Sequence, residues 1–272
     1  MTFTEELNAA VYAVPHLPRV TFGAGLAGGA YAWLDKKHLN GEVHEPGMLA
    51  AMLAIKSHRN VRQFFDIGAY YGYFSIAARQ IFPDCFVTAF EPHPNFYAEL
   101  RKNVDPLHTT VVHAAVSDED KAAEVWFSAF NIFEDVDNLP PEALKPRGPG
   151  ASGRSTIQFL RIDGFERPEG WRLTVAPDVV KIDVEGYQAR AVRGMENTIK
   201  ALKPWVLIEL HDPEKLARMN TTNAETVAPL FAAGYRAHWC GNFRDANAAF
   251  ERVTAMGPEH ERLSLMVFDP RT

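Results

Sequence analysis

The segment FFDIGAYYGYFS (residues 64–75) is an apolar run that ends in Asp66 and gives way to a turn with Gly68 and Gly72. This pattern predicts a buried strand, a glycine turn and the start of a helix. A second apolar run, CFVTAFEP, contains Glu91, nineteen residues after Gly72. An acid that follows a strand–turn–helix–strand unit in this way is placed to accept hydrogen bonds from both hydroxyls of a ribose. The segment therefore predicts a site for a nucleoside-bearing cofactor.

The glycine turn favours S-adenosylmethionine over a dinucleotide. A pyrophosphate must approach the helix start closely, and here the bulky Tyr70 and Tyr71 stand between the two glycines. S-adenosylmethionine has no phosphate. It needs a carboxylate near its amino group, backbone N–H groups near its own carboxylate and a ribose acceptor, and Asp66 and Glu91 fit the first and the last of these needs.

A second glycine segment, VTFGAGLAGG, matches the dinucleotide fingerprint at Gly23, Gly25 and Gly28, with Glu45 downstream. The fingerprint requires a strand before the acid, but residues 39–46 (LNGEVHEP) contain few large apolar side chains and end in proline. We interpret the segment as a flexible or helix-leading stretch. If it were instead the cofactor loop, the protein would be an NAD(P)-dependent oxidoreductase.

Composition narrows the class of protein. The 272 residues suffice for one large α/β domain, and the net charge of −6 with a pI near 5.9 disfavours nucleic acid as a partner. Two cysteines, Cys85 and Cys240, predict neither a disulfide framework nor a metal cluster. The acidic N-terminus is unlike a signal peptide and no apolar stretch is long enough for a transmembrane segment, so we expect a cytoplasmic protein. The sequence leaves open whether the chain forms a homo-oligomer.

Strands alternate with helices from Val61 onward, and the runs VVKIDV and WVLIEL are apolar enough for strands buried on both faces. Strands are predicted at 62–67, 85–90, 110–116, 178–184, 205–210, 235–239 and 263–268. Helices are predicted at 73–82, 94–103, 187–202 and 223–233, with Gly234 as a C-terminal stop. This order predicts an α/β fold with a doubly wound, mostly parallel sheet.

Two regions depart from the alternation. Residues 1–60 are interpreted as an N-terminal helical arm or lid, in which Thr4 caps one helix and Pro46 begins another. Residues 61–272 form the main domain, with an insertion around 118–177. The insertion holds two further strand candidates, EVWFSAF and STIQFLRI, and a long loop at 139–155 that we expect to lie over the active site.

Polar residues follow two further strands at the edge where ligands bind in such sheets. Asp183 and Glu185 follow VVKI, and strand alternation predicts that Lys181 shares their face; Lys181 and Glu185 would otherwise simply neutralise each other. Glu209 and His211 end VLIELH. His211 is a candidate general base by residue type, and Asp183 is its competitor. No metal is expected, although Asp183, Glu209 and a water leave open a site for a hard cation.

The blocks DIGAYYGYFS, FEPHP and VVKIDVEGYQARAVRGM followed by PWVLIELH resemble FkbM-type S-adenosylmethionine-dependent methyltransferases, which have the class I Rossmann-like fold. The resemblance covers about residues 45–211. It implies a seven-stranded sheet with a reversed last strand, and O-methylation of a hydroxyl on a sugar, glycan or secondary metabolite.

The same resemblance implies roles for individual residues. The strand end HAAVSD (113–118) would flank the adenine, and Asp183 and Glu185 would line the reaction site. The expected catalytic residues are Asp183, Glu185 and His211. The expected cofactor-binding residues are Asp66, Gly68, Ala69, Tyr70, Gly72, Phe74, Glu91, Pro92, Ala115, Val116 and Asp183.

The acceptor would be decided by residues 1–44 and by the loop at 139–155, which the family pattern does not cover. Besides the oxidoreductase, a non-catalytic cofactor-binding protein of the same fold remains an alternative reading, against which the intact KIDVEG block argues.

Overall fold

The computed structural model describes residues 1–22, 34, 36–37, 40–128, 131–144, 153–165 and 176–271. Their strands, numbered in chain order, are β1 (Gln63–Ile67), β2 (Phe86–Phe90), β3 (Thr109–Val112), β4 (Ala114–Val116), β5 (Lys121–Ser128), β6 (Asn131–Phe133), β7 (Gly153–Leu160), β8 (Val179–Ile182), β9 (Trp205–Leu210), β10 (Arg236–Cys240), β11 (Glu251–Val253) and β12 (Ser264–Asp269).

The central sheet has eight strands in the order β11-β10-β12-β9-β8-β1-β2-β3. The neighbouring strands from β9 through β8, β1 and β2 to β3 pair in parallel, whereas β12 is antiparallel to both β9 and β10. All five side chains of β1 are buried, and its adjacent Phe64 and Phe65 enter separate cores on the two faces. The doubly wound, mostly parallel α/β sheet with a reversed last strand is therefore confirmed.

The expected count of seven strands is wrong by one. The additional strand, β11, pairs antiparallel with β10 at the edge of the sheet. Of its three residues only Val253 is buried. An edge strand this short shows no alternating pattern in the sequence, because most of its side chains face solvent.

The helices are α1 (Phe3–Val11), α2 (Pro46–Lys56), α3 (Tyr73–Ile81), α4 (Pro94–Asn103), α5 (Gln188–Arg193), α6 (Glu196–Leu202), α7 (Pro213–Ala217) and α8 (Asn223–Ala232). Pro46 begins α2 as expected, and nearly all of that helix is buried. Gly234, at φ +80°, follows the end of α8 as expected. No helix of the described ranges is long and apolar enough to cross a bilayer.

Helix α1 begins earlier than the sequence pattern suggests. Its N-cap is Thr2, whose hydroxyl accepts a hydrogen bond from the Glu5 N–H while the Glu5 side chain accepts from the Thr2 N–H. Thr4, the expected cap, instead lies inside the helix with its hydroxyl 2.9 Å from His238 Nδ1. Phe3 and Leu7 of α1 belong to the same core as α2. The division between an arm (1–60) and a main domain (61–272) stays a prediction.

Two predicted elements are each broken in two. The strand expected at 110–116 ends in the central sheet at Val112 and resumes as β4 in a second sheet. The helix expected at 187–202 divides into α5 and α6 at Gly194, where a Cβ would lie 1.8 Å from the Ser117 carbonyl oxygen. The close approach of these two backbones explains both the glycine and the break.

The second sheet has the order β4-β7-β5-β6 and is built largely from the expected insertion. β5 and β7 pair antiparallel over seven residue pairs, in the positions of the two additional strand candidates. The loop expected at 139–155 is described only at its two ends, and residues 145–152 lie outside the described part. Its proposed position over the active site stays a prediction.

Candidate active site

A cavity of about 450 Å³ lies at the carboxyl ends of β1, β2 and β8. At this edge of the sheet, β1 has β2 on one side and β8 on the other, so the strand order reverses direction at β1. This is the switch point at which open α/β sheets bind ligands, and the volume lies within the range of small-molecule sites, about 300–1,000 Å³. The cavity has an apolar end and a charged end.

Gly68 brings the loop after β1 against the chain that follows β8. Its φ is +77°, and a Cβ here would lie 1.8 Å from the Asp183 carbonyl oxygen. The N–H groups of Gly68 and Ala69 both donate to the Phe90 carbonyl oxygen at 3.0 Å. Gly72 is needed for a different contact. A Cβ on it would lie 2.7 Å from Leu100 Cδ1 of α4. The first glycine permits contact between strand ends, and the second permits close helix packing.

Glu91 lies at the wall of the cavity with both carboxylate oxygens engaged. Oε2 accepts a hydrogen bond from the Tyr70 N–H at 2.8 Å, and Oε1 accepts one from the His93 N–H at 2.9 Å. Burial raises the pKa of Glu91 to about 7, although both backbone donors act against that shift. A carboxylate offers about four acceptor positions. Within the described residues, two of them are therefore left for a ligand.

The apolar end is formed by the start of the second sheet and by α4. Ala115 and Val116 of β4 line it, together with Phe96, Phe127 and Ile132. The His93 ring stacks on Phe96 with centroids 4.1 Å apart, and it also contacts Phe127. Flat apolar surfaces of this kind suit a planar ring system.

Asp66 and Lys181 form a buried ion pair beneath the cavity. Asp66 is fully buried, accepts a hydrogen bond from Ser75 Oγ at 2.7 Å, and has its Oδ1 3.0 Å from Lys181 Nζ. Lys181 Nζ also donates to the Gly68 carbonyl oxygen at 2.9 Å and lies 3.6 Å from Asp183 Oδ2. Burial would lower the pKa of Lys181, but the carboxylates of Asp66 and Asp183 outweigh it and raise that pKa.

The expected cofactor-binding residues divide into two groups. Seven of them line the cavity: Gly68, Tyr70, Glu91, Pro92, Ala115, Val116 and Asp183. Four lie outside its lining: Asp66, Ala69, Gly72 and Phe74. Phe74 is buried, with Lys181 Nζ 5.2 Å from the centre of its ring. These four have structural contacts, and a direct role for them with a cofactor stays a prediction.

Asp183 and Glu185 both line the charged end. Asp183 lies beside Lys181, with its Oδ2 3.6 Å from Lys181 Nζ, but Glu185 does not share that face as strand alternation suggested. Strand β8 ends at Ile182, and Glu185 has φ +49°, so its side chain leaves the alternation of the strand and points away from Lys181. It pairs with Lys215 and lies 3.3 Å from His211 Nε2. The alternative that Lys181 and Glu185 neutralise each other is therefore wrong. Burial would raise the pKa of Glu185, but His211 and Lys215 outweigh it and lower that pKa to about 2.

His211, the candidate base, lies behind the cavity wall rather than in it. Its side chain is 1% exposed, and His211 is not one of the residues that line the cavity in the described part of the chain. The Asn223 side chain donates to its carbonyl oxygen at 2.8 Å and holds the strand end. The donor atoms of Asp183, Glu209 and His211 lie within 4.8 Å of one another, so the three side chains converge as the sequence predicts.

Two residues of the charged end were not recognised as site residues from the sequence. Glu45 precedes α2, with φ +46°, and Arg244 lies in the turn after β10. The Arg244 guanidinium contacts Glu45 Oε1 at 3.2 Å and Glu209 Oε1 at 2.8 Å. Burial, reinforced by the charge of Asp183, raises the pKa of Glu45 to about 7 despite Arg244. Glu45 directly precedes Pro46, which begins α2, and this position is the local signal in the sequence that could have marked Glu45.

The second glycine segment, residues 23–29, lies outside the described residues. Residues 40–45, where its fingerprint would need a strand, form turns and irregular chain. The acid that this reading required, Glu45, lines the charged end of the cavity.

Several known proteins are similar to this chain. The sequence pattern of the methyltransferase FkbM domain matches residues 66–237, which is well over half of the chain. A curated relative, the hexuronic acid methyltransferase AglP of Haloferax volcanii, is 27% identical over 137 residues, which are 49% of this chain and 52% of the relative. The chain thus spans about half the length of the curated relative it matches.

Two methyltransferases are among the solved structures that are similar at low identity. Methyltransferase FkbM from Methylobacillus flagellatus KT has a TM-score of 0.43 and 12% identity, over 96% of this chain and 58% of that one. Precorrin-6y C5,15-methyltransferase from Geobacter metallireducens GS-15 has a TM-score of 0.40 and 16% identity, over 81% and 86%. On the sequence pattern that matches residues 66–237, this chain belongs to the FkbM methyltransferase family.

Proposed function

We propose that this protein is an S-adenosylmethionine-dependent O-methyltransferase that methylates a hydroxyl of a sugar or glycan. Membership of the FkbM methyltransferase family supports the reaction class. The observation that carries the choice of cofactor is Glu91, a buried carboxylate at the cavity wall with two acceptor positions free.

The cavity suits S-adenosylmethionine in its volume of about 450 Å³ and in the residues that line it. A ribose diol would donate to the two free positions of Glu91, and an adenine ring would lie against Ala115, Phe96 and Phe127. Gly68 and Asp183 line the same cavity, where the methionine part of the cofactor would lie. When bound there, the cofactor supplies an electrophilic methyl group on a sulfonium.

Asp183 is the residue best placed to receive the proton of the acceptor. It lines the cavity, and its side chain is 24% exposed. It directly follows β8, the strand that contains the buried Lys181. In-line methyl transfer requires the acceptor oxygen about 3–3.5 Å from the methyl carbon. The base must lie within hydrogen-bond reach of that oxygen, which places it at the charged end of the cavity. Glu185 lines that end as well, and His211 behind it supports the carboxylates without reaching the cavity. Positioned proton transfer would contribute roughly 10²- to 10⁴-fold.

The charged end favours a polar, oxygen-rich acceptor. Glu45, Asp183 and Arg244 line it and offer both acceptors and a cationic donor. Sugars present hydroxyls that pair with such groups, and a sugar acid would add a carboxylate for the half-exposed Arg244. The hexuronic acid in the name of the Haloferax relative is the sugar class that we propose to test first.

Calorimetric titration with S-adenosylhomocysteine tests the cofactor, with NAD as the comparison ligand. We expect micromolar binding of S-adenosylhomocysteine alone. Glu91→Ala is expected to weaken it by about 1.5–3 kcal/mol, roughly 10- to 150-fold, because charge-assisted hydrogen bonds are lost. Glu99→Ala is the matched control, because Glu99 lies on α4, pairs with Lys102 and is not among the residues that line the cavity in the described part of the chain. Binding of NAD alone, or equal affinity in Glu91→Ala, would contradict the proposal.

Transfer of a labelled methyl group tests the acceptor. Hexuronic acids, neutral hexoses and small glycans are supplied in parallel, and the product is mapped by mass spectrometry and NMR. We expect a methyl ether on a sugar hydroxyl. Methylation of a sugar carboxylate would retain the sugar acceptor and overturn the choice of hydroxyl. Cofactor binding with no turnover across the panel would favour the non-catalytic alternative.

A further inference from the structure

Three side chains at the charged end of the cavity have the arrangement of metal ligands. Glu209 and His211 stand two residues apart at the end of β9, and Asp183 follows the adjacent parallel strand β8. Their donor atoms lie within 4.8 Å of one another. A cation bound at about 2.0–2.3 Å from each ligand separates opposite ligands by roughly 4–4.6 Å, so the observed spacing needs little adjustment.

Two of these donors are buried without a hydrogen bond. Glu209 is 2% exposed and His211 is 1% exposed, and within the described ranges neither Glu209 Oε2 nor His211 Nδ1 has a hydrogen-bond partner. The nearest approach of His211 Nδ1 to a carboxylate is 3.8 Å, to Glu209 Oε1, which is too long for a hydrogen bond. Buried polar atoms without a partner are rare and require a reason. An ion between them would satisfy both.

The partners already present leave these atoms available. Glu209 Oε1 accepts from Arg244 Nη2 at 2.8 Å, so Oε2 is the oxygen left for a cation. His211 Nε2 lies 3.3 Å from Glu185 Oε2 and, like Nδ1, makes no hydrogen bond within the described residues. A carboxylate beside one ring nitrogen is the usual outer partner of a metal-bound histidine, so the position of Glu185 leaves Nδ1 as the nitrogen for a metal.

The local charge balance favours a divalent cation. Five carboxylates meet in this region: Glu45, Asp66, Asp183, Glu185 and Glu209. The cations that contact them in the described part of the chain are Lys181, Lys215 and Arg244. If all five carboxylates were ionised, they would exceed these cations by two charges, which is costly in a mostly buried region unless a further cation compensates them.

From this geometry we infer that Asp183, Glu209 and His211 bind one divalent metal ion at the charged end of the cavity, with Glu185 orienting His211. Two carboxylates and an imidazole form a mixed oxygen and nitrogen donor set, which suits Mn²⁺ and Zn²⁺ better than Ca²⁺.

Asp183 lines the cavity, so the remaining coordination positions of the ion would face the acceptor. An ion there would hold the acceptor oxygen and lower the pKa of its hydroxyl, and two neighbouring oxygens of a sugar would bind it as a chelate. This use of the ion rests on the proposed function, whereas its binding does not.

Titration of the chelator-treated, full-length protein with Mn²⁺ tests the site, with free Mn²⁺ followed by its electron paramagnetic resonance signal and heat followed by calorimetry. We expect one equivalent to bind. Glu209→Gln and His211→Gln are each expected to weaken binding at least tenfold, and Glu185→Gln by about 10- to 100-fold. Glu259→Gln, whose carboxylate is 66% exposed and lies beside the buried His260, is the matched control and should bind Mn²⁺ as the wild type does.

Binding of S-adenosylhomocysteine is measured on every variant, because it reports an intact fold at the other end of the cavity. Where Glu209→Gln fails to fold, the partly exposed Asp183→Asn replaces it. Wild-type protein that binds S-adenosylhomocysteine but neither Mn²⁺, Zn²⁺ nor Mg²⁺ would overturn the metal site alone. Equal Mn²⁺ affinity in all folded variants would do the same. Mn²⁺ binding without S-adenosylhomocysteine binding would retain the metal site and contradict the proposed function.

Discussion

Replacing Lys181 with methionine is expected to lower the free energy of unfolding by about 3–5 kcal/mol, the usual cost of removing one partner of a buried ion pair. Lys181 is 2% exposed, and its ammonium lies 3.0 Å from Asp66 Oδ1 and 2.9 Å from the Gly68 carbonyl oxygen. Methionine fills most of the volume but leaves Asp66 fully buried, with Ser75 as a remaining donor. The loss therefore comes from an uncompensated charge rather than from a void.

A double-mutant cycle with Asp66→Asn separates the charge from the packing. The amide that Asp66→Asn introduces can still accept from Ser75, so Asp66→Asn with Lys181→Met is expected to recover at least about 1.5 kcal/mol of the single-mutant loss. Lys200→Met is the matched control, because that lysine is 57% exposed and its pair with Glu196 is expected to contribute at most about 0.5 kcal/mol.

Urea unfolding followed by circular dichroism measures these differences, and calorimetry should show Lys181→Met melting roughly 6–20 °C below the wild type. A loss below about 1 kcal/mol in Lys181→Met would refute the reasoning. So would a double variant that is no more stable than the single one.

Three further predictions concern single residues of the site. Because burial places the pKa of Glu91 at about 7, affinity for S-adenosylhomocysteine is expected to fall between pH 8 and pH 6, whereas Glu91→Gln should show no such slope in calorimetry. The same proton is bound by the folded chain but not by the unfolded one between about pH 4.5 and 7, so the Glu91 contribution to stability falls as pH rises through that window. Gly68→Ala should destabilise the fold in urea by clearly more than Gly164→Ala, since both have positive φ but only at Gly68 does a Cβ meet backbone; equal losses would leave strain alone as the cause. His211→Ala should retain its affinity for S-adenosylhomocysteine and slow turnover, and full activity would remove His211 from the mechanism.

The part of the site that the sequence predicts well is local in the chain. Asp66, Gly68 and Glu91 belong to one strand–turn–helix–strand unit, in which apolar runs and glycines report the backbone directly. Even there, the role of Asp66 was harder to predict than its position. Its partner, Lys181, is 115 residues away in the sequence, and only the pairing of β1 with β8 brings the two together.

The residues missed from the sequence depend on contacts between distant turns. Arg244 reaches the charged end from the turn after β10 and meets Glu45, about 200 residues earlier. No periodicity marks either residue, because neither lies in a regular strand or helix interior. The broken helix at Gly194 has the same origin, since its cause is the backbone of Ser117 on another element.

The contact between Gly68 and Asp183 also bears on how a protein with the proposed function could change its acceptor. The loop proposed to face the cofactor and the acid proposed to face the acceptor are held together in two ways: the Asp183 N–H donates to the Ile67 carbonyl oxygen at 3.0 Å, and the Lys181 side chain donates to the Gly68 carbonyl oxygen. In the proposed function, the alignment of cofactor and acceptor would thus be set before either ligand arrives. Partly exposed side chains of the lining, such as Lys37, could then be exchanged to admit a new acceptor without changing that alignment.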